Sequence, residues 1–179
     1  MNGKRRLIGS FWHGSTGDAM TRAVGAQLAF PGRQVISLSS DGDISMLMGD
    51  LQRLAQLKLP VKIVVLNDGA LGGIEKEQHA TAPPLAGPGL NNPSFAKLAE
   101  AAGIRGVRLE DPVDVDEGIR SALLYNGPAI IDVVVARTGF PAGDAEAAMN
   151  AELYTRRAVV NAKGNRLIDL ANAHPWADL

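Results

Sequence analysis

The chain has 179 residues, with 18 basic and 19 acidic side chains and a formal net charge of −1. This length is sufficient for one domain with a buried core, and the balanced charge gives no support for a nucleic-acid partner. The absence of cysteine excludes disulfides and thiolate metal sites. No apolar run approaches the roughly 20 residues of a membrane span, and the N-terminus lacks a signal-peptide pattern, so we expect a soluble cytoplasmic protein.

Helical and strand-like patterns alternate along the first three quarters of the chain. The strand patterns are β-branched and apolar on both faces, as is typical of strands covered by helices on both sides. The fold class predicted is therefore α/β, with a parallel sheet flanked by helices. The predicted elements are helix 18–30, strand 35–38, helix 44–57, strand 61–66, helix 92–102, strand 106–109, helix 111–125 and strand 129–135.

Two regions fall outside this alternation. Residues 75–90 have no periodicity and contain three prolines, which predicts either a mobile segment near a functional site or a plain surface loop. Residues 138–179 form a C-terminal helical tail, with helical patterns over 145–163 and 166–173. We therefore expect a ligand-binding domain over residues 1–137 and a tail over 138–179.

One aspartate follows each of two consecutive predicted strands. Asp41 and Asp68 lie 27 residues apart, beside Gly42 and Gly69, which let backbone groups approach a ligand closely. An isolated aspartate at a strand end is more often a helix cap, but a matched pair favours a cation site that carries a phosphate. We expect Mg²⁺ ligands from both carboxylates and from a carbonyl of the turn 69–71, with amides of residues 42–44 available to a diphosphate.

A calcium-binding loop is a competing interpretation of the sequence DGDIS. It fails because the sixth loop position would be Met46 instead of glycine, and the twelfth is Gln52 instead of glutamate.

The segment SSDGDISMLMGDLQRLAQLKLPVKIVVLNDGALGGI resembles the GDG…NN signature of thiamine-diphosphate-dependent enzymes. The surrounding chain is similar to the C-terminal cofactor domain of the pyruvate oxidase and acetolactate synthase family. Within that family the likeness is greatest to the quinone-dependent pyruvate dehydrogenases. The resemblance implies the thiamine-diphosphate-binding fold, lacking here its first strand and helix, and a 2-oxo acid substrate such as pyruvate.

The same resemblance implies a set of site residues. Asp41, Asp68 and the carbonyl of Ala70 would ligate Mg²⁺. Residues bordering thiamine diphosphate would be Gly14, Ser15, Thr16, Asp41, Gly42, Asp43, Asp68, Gly69, Ala70, Leu71, Gly72, Gly73 and Ile74. Asp43 stands where the family usually has a small neutral residue, so its carboxylate would repel a diphosphate unless it points away. His13 and His79 are candidates near the site, although no residue is a convincing proton-transfer catalyst.

In this family a glutamate of a pyrimidine-binding domain, on a neighbouring subunit, activates the cofactor, and a central domain binds FAD. The resemblance thus implies a homo-oligomer, and a pyrimidine domain and an FAD domain that this chain does not contain. The isolated chain would be inactive alone. By the same resemblance, the moderately basic amphipathic tail is the segment with which the quinone-dependent enzymes dock on the inner face of a membrane, whereas its acidic residues favour a helix packed on its own domain or on a partner.

The sequence leaves two alternatives open and argues against a third. The chain could be an acetolactate synthase-like carboligase domain, or a non-catalytic remnant that dimerises or touches membranes. A phospho-acceptor receiver module also places aspartates at strand ends, but it needs a lysine after a late strand, where this chain has Ala136, Arg137 and Thr138.

Overall fold

A computed structural model of the chain describes residues 6–10, 14–72 and 89–136, and the structural statements below concern these residues. Leu7–Arg137 belong to one compact unit. The second unit comprises Met1–Arg6 and Thr138–Leu179, and the predicted tail helices within it lie outside the described residues, as does most of segment 75–90.

The described part contains four parallel strands in the order β1-β2-β4-β3. Each strand is joined to the next by a segment that includes a helix, which confirms the predicted α/β class with its parallel sheet. The elements are α1 (Asp18–Ala29), β1 (Ile36–Ser40), α2 (Asp41–Met46), α3 (Leu51–Leu57), β2 (Lys62–Asn67), α4 (Phe95–Ala101), β3 (Arg105–Leu109), α5 (Val115–Leu124) and β4 (Ala129–Val134). Short 3₁₀ turns at Met48–Asp50 and Pro112–Asp114 precede α3 and α5.

Helices cover both faces of the sheet. On one face, helices α1, α2, α3 and α4 pack on strands β2 and β4 around a large apolar core. This core includes Met20, Leu54, Ile63, Phe95 and Ile130. On the other face, α5 packs on β3 and β4 around a smaller core of Leu109, Ala122, Ala129 and Ile131. The apolar strand runs are thus buried from both sides where a helix lies over them.

Part of the second face is uncovered beside the edge strand β1. Ile36 and Leu38 of β1 are 50% and 62% exposed, and Leu66 of β2 is 41% exposed. The strand register places the three side chains on the same face of the sheet. Residues that are paired across two parallel strands point to the same face, and so does every second residue along one strand. The result is an apolar strip that no described helix covers.

The single helix predicted over residues 44–57 is wrong. A helix starts earlier, at Asp41, because Ser40 and Asp43 form a reciprocal capping box: the Ser40 hydroxyl accepts the Asp43 amide and the Asp43 carboxylate accepts the Ser40 amide. It ends at Met46, and the 3₁₀ turn over Met48–Asp50 separates it from α3. Gly49 in this turn has low helix propensity.

The start of the helix predicted over residues 92–102 is also wrong. The pair Asn92-Pro93 is typical of an N-cap followed by the first residue of a helix. Instead α4 begins at Phe95, and the Ser94 hydroxyl accepts the Lys97 amide at 3.3 Å. The side chain of Asn92 is therefore available for another contact.

Helix α4 and strand β3 approach each other closely at Gly106. A Cβ atom at this position would lie 2.1 Å from the carbonyl oxygen of Ala96. Only a residue without a side chain allows the observed spacing between these elements.

Candidate functional site

Asp41 is fully buried at the junction of β1 and α2. Its Oδ2 accepts the backbone amide of Gly69 at 2.8 Å and the side-chain amide of Asn92 at 2.6 Å. Its Oδ1 accepts the amide of Gly42 at 2.8 Å. All three donors are neutral, and none of the ion pairs among the described residues includes Asp41.

The turn after β2 lies against this carboxylate. Gly69, with φ of +72°, reverses the chain, and the amide of Ala70 donates to Oδ1 of Asp68 at 3.1 Å. The amide of Leu90 donates to the carbonyl of Gly69 at 2.8 Å and not to that of Ala70. The structure therefore brings the predicted ligands together at the carboxyl ends of β1 and β2, while their role as ligands stays a prediction.

Asp43 turns its carboxylate into the helix cap. Oδ2 accepts the Ser40 amide at 3.1 Å, and Oδ1 accepts the amide of Gly17 at 3.0 Å. Both carboxylate oxygens are thus hydrogen-bonded to backbone amides of the chain itself. The sequence signal was the Ser-x-x-acid spacing from Ser40 to Asp43.

The backbone amides in the first turn of α2 have partners that we did not predict. We predicted that residues 42–44 would offer free donors to a diphosphate. Gly42 instead donates to Oδ1 of Asp41, and Asp43 donates to the Ser40 hydroxyl. Because both amides are used within the protein, the N-terminus of the six-residue α2 offers no ready-made anion site through them.

The segment before α1 reaches the site through Gly17. Gly14, Ser15 and Thr16 are exposed, and the Ser15 amide donates to the Ser10 hydroxyl at 3.1 Å. Because the next residue, Gly17, donates to Asp43, the segment lies beside the start of α2.

Leu71 and Gly72 are half-buried, and Leu71 contacts Gly42 closely enough that a Cβ there would lie 2.7 Å from its side chain. Gly73 and Ile74, together with His13 and His79, lie outside the described residues.

Sequence reasoning missed a chain of polar side chains behind Asp41. Asn92 donates its second N–H to Oδ1 of Asn67 at 2.9 Å, and Asn67 donates to Oδ1 of Asp132 at 2.9 Å. Oδ2 of the fully buried Asp132 accepts the Phe95 amide at 3.0 Å and the Arg108 guanidinium at 2.6 Å. The available signal was a lone aspartate inside the apolar strand AIIDVV, since buried carboxylates require partners.

Arg108 lies at the solvent-exposed end of this series of polar side chains. It pairs with buried Asp132 and with exposed Glu110, both at 2.6 Å. The hydrogen bond to Glu110, followed by that to Asp132, raises the pKa of Arg108 above its ordinary value, against the opposing effect of burial. The guanidinium thus remains a fixed positive charge beside Asp132.

A cleft with a volume of about 300 Å³ opens beside these groups. It lies beyond the carboxyl ends of β2, β3 and β4, where open parallel sheets place their ligands. Its lining residues are Asn67, Asp68, Gly69, Leu90, Asn92, Pro93, Ser94, Arg108, Val134 and Val135.

The donor set fits a hard cation better than a soft one. No group of three or more His, Cys, Asp or Glu side chains in the described ranges could hold a metal ion, so a site here would rest on two carboxylates and a backbone carbonyl. Oxygen ligands of this kind suit Mg²⁺, which takes few protein carboxylates and completes its shell with phosphate oxygens and water. A buried carboxylate surrounded by neutral donors also gains from a bound cation.

In the described ranges, no helix combines the length and apolar character needed to cross a bilayer.

Comparison with known proteins agrees with this geometry. Residues 1–133 match the family described as "Thiamine pyrophosphate enzyme, C-terminal TPP binding domain". The Bacillus subtilis protein YdaP is 33% identical over 135 residues, and the acetolactate synthase large subunit of Porphyra purpurea is 34% identical over 138 residues. These alignments cover 75% and 73% of this chain, but only 24% and 23% of the two relatives.

A solved structure shares the fold. The thiamine diphosphate-dependent 4-hydroxybenzoylformate decarboxylase of Rhodococcus jostii superposes with a TM-score of 0.64 at 34% identity, over 73% of this chain and 24% of that one. The chain thus spans about a quarter of the length of the relatives it matches. The receiver-module alternative is excluded by these matches, and the chain belongs to the thiamine pyrophosphate enzyme family, through its C-terminal TPP-binding domain.

Proposed function

We propose that this chain binds Mg²⁺ and thiamine diphosphate as the C-terminal domain of an enzyme that decarboxylates a 2-oxo acid. The observation that carries the proposal is the buried carboxylate of Asp41, which accepts three neutral donors from the described residues and lies against the turn that contains Asp68 and Ala70. Family membership supplies the cofactor, and the oxygen donor set favours Mg²⁺.

In this proposal the chain's own residues anchor and orient the cofactor. Asp41 and Asp68 would hold the metal with the carbonyl of Ala70, and the turn at Gly69 keeps the backbone close to them. When bound, thiamine diphosphate supplies the electron sink for the loss of CO₂.

Two reactions are candidates for the complete enzyme. The tail and the motif at residues 35–74 resemble pyruvate-oxidising enzymes, which would add FAD through a further domain. The matched acetolactate synthases support a second candidate equally well, namely a carboligase that joins a decarboxylated 2-oxo acid to a second one. A homo-oligomer, a pyrimidine-binding partner domain and membrane contact through the tail also remain proposals.

Thermal unfolding with and without ligand tests the binding function. At 100 times its dissociation constant, a ligand of the folded state adds about 2.7 kcal/mol, which raises the Tm by roughly 5–11 °C for a chain of this size. We expect this rise with Mg²⁺ and thiamine diphosphate together, and its loss in Asp41→Ala. The matched control is Asp50→Ala, which removes an exposed carboxylate and should keep the full rise.

The same titration separates the non-catalytic remnant from the proposal. No rise for the unsubstituted chain at millimolar ligand would contradict cofactor binding. A rise that persists in Asp41→Ala would show that the metal lies elsewhere.

A further inference from the structure

We propose that Asn92 is a positioning residue that fixes Oδ2 of Asp41 and thereby leaves Oδ1 as the oxygen that binds Mg²⁺. The inference rests on the proposed function and adds which oxygen binds the metal and what selects it. It starts from the 2.6 Å contact between the Asn92 side-chain amide and Oδ2 of Asp41.

The orientation of Asn92 is set by a carboxylate at each end of the polar chain. Asp132 accepts at Oδ1 from Asn67, so the amide nitrogen of Asn67 must face Asp132 and its oxygen must face Asn92. Asn92 must then present nitrogen to Asn67, and its remaining N–H reaches Asp41. Because a carboxylate only accepts, neither asparagine amide can rotate without leaving an acceptor against an acceptor.

The two oxygens of Asp41 are consequently unequal. Among the described residues, Oδ2 accepts two donors from outside its own turn, Asn92 and Gly69, whereas Oδ1 accepts only the adjacent amide of Gly42. A carboxylate with one oxygen occupied in this way offers a single oxygen to a cation. Single-oxygen ligation suits the octahedral shell of Mg²⁺, while Ca²⁺ readily takes both oxygens of a carboxylate.

A purely local role for Asn92 is not supported by its neighbours. Ser94, not Asn92, caps α4, so the helix does not need the Asn92 side chain. The two contacts of Asn92 are instead to residues 25 and 51 positions away in sequence. Its side chain therefore serves the end of the sheet where Asp41 lies.

The test is calorimetric titration of the full 179-residue chain with Mg²⁺ and with Ca²⁺, each at saturating thiamine diphosphate. Loss of an outer-shell partner of a metal ligand commonly weakens metal binding by roughly 10–100-fold. In Asn92→Ala we expect the Kd for Mg²⁺ to rise about tenfold while the Kd for Ca²⁺ changes by less than about threefold. The selectivity for Mg²⁺ over Ca²⁺ therefore falls, which a general loss of stability would not cause.

Asp111→Ala is the matched control, because it removes the exposed carboxylate that accepts the Val113 amide before α5 and leaves the contacts of Asp41 intact. It should lower the Tm without changing the Mg²⁺/Ca²⁺ ratio. Asn92→Ser provides a second variant that keeps a small polar side chain too short to reach Asp41, should Asn92→Ala fail to fold.

The outcomes separate the two proposals. An unchanged metal ratio in a folded Asn92 variant, or an equal change in Asp111→Ala, would overturn the positioning role and leave the proposed function standing. Failure of the unsubstituted chain to bind either metal with thiamine diphosphate would overturn both.

Discussion

Asp43 fastens the start of α2 to the segment that precedes α1. Its carboxylate accepts the amides of Ser40 and Gly17, and the Ser40 hydroxyl completes the capping box. At the scale of single residues, this makes Asp43 a stabilising group beside the candidate metal site.

Asp43→Ala should lower the free energy of unfolding by about 1–2 kcal/mol, because it leaves two amides without their acceptor. Urea denaturation measures the change. Asp50→Ala is the control, since Asp50 is exposed and makes no capping hydrogen bond, and its effect should stay within about 0.5 kcal/mol. Equal effects of the two substitutions would contradict the role of the cap.

At the scale of elements, the spacing between α4 and β3 depends on Gly106. We expect Gly106→Ala to lower the free energy of unfolding by about 3 kcal/mol, because its Cβ would meet the Ala96 carbonyl and force the helix off the strand. Gly25→Ala is the matched control within α1, where a Cβ meets nothing within 4 Å, and it should raise stability by about 0.5–1 kcal/mol. Chemical denaturation of both variants checks the opposite signs.

The elements show which features a sequence pattern can predict. The strands and α1 were predicted to within two residues, because apolar runs and Pro–Gly stops are local signals. Helix starts are harder to predict, since the Ser40 cap precedes the apolar spacing that begins at residue 44 and the Ser94 cap follows the predicted start at residue 92. A cap depends on one hydrogen bond, which periodicity does not report.

The candidate site was predictable only in part for the same reason. Asp41 and Asp68 follow strands, so parallel topology places them at one edge of the sheet. Asn92 reaches Asp41 across 51 residues, and Asn67 reaches Asp132 across 65. Contacts of this range depend on how the helices pack, which no local pattern contains.

At the scale of the whole molecule, Lys62 ties the sheet to the turn before β4. Its buried Nζ donates to the carbonyl of Tyr125 at 2.6 Å and to that of Gly127. Burial, followed by the nearby charge of Arg105, lowers the pKa of Lys62 from its ordinary value of 10.5. The folded chain therefore releases this proton at a lower pH than the unfolded chain does.

This shift predicts a pH dependence with a definite sign. Between the lowered pKa and 10.5 the unfolded chain binds more protons at Lys62, so stability rises with pH in that alkaline window. Relative to Lys62→Met, the free energy of unfolding of the unsubstituted chain should increase as the pH rises from 7 toward 10. Denaturation series at several pH values measure this difference in the free energy of unfolding. The control is Lys97→Met at an exposed position, for which the difference from the unsubstituted chain should stay constant with pH. A difference independent of pH would contradict the prediction.

The polar chain from Asp41 through Asn92 and Asn67 to Asp132 also constrains how the sequence can evolve. Each contact in it pairs a donor of one side chain with an acceptor of the next. A single replacement leaves a buried group mismatched, so we expect selection against an isolated substitution at one of these positions unless its neighbour changes as well. Among related proteins, these four positions should accordingly be inherited as a set or be exchanged together.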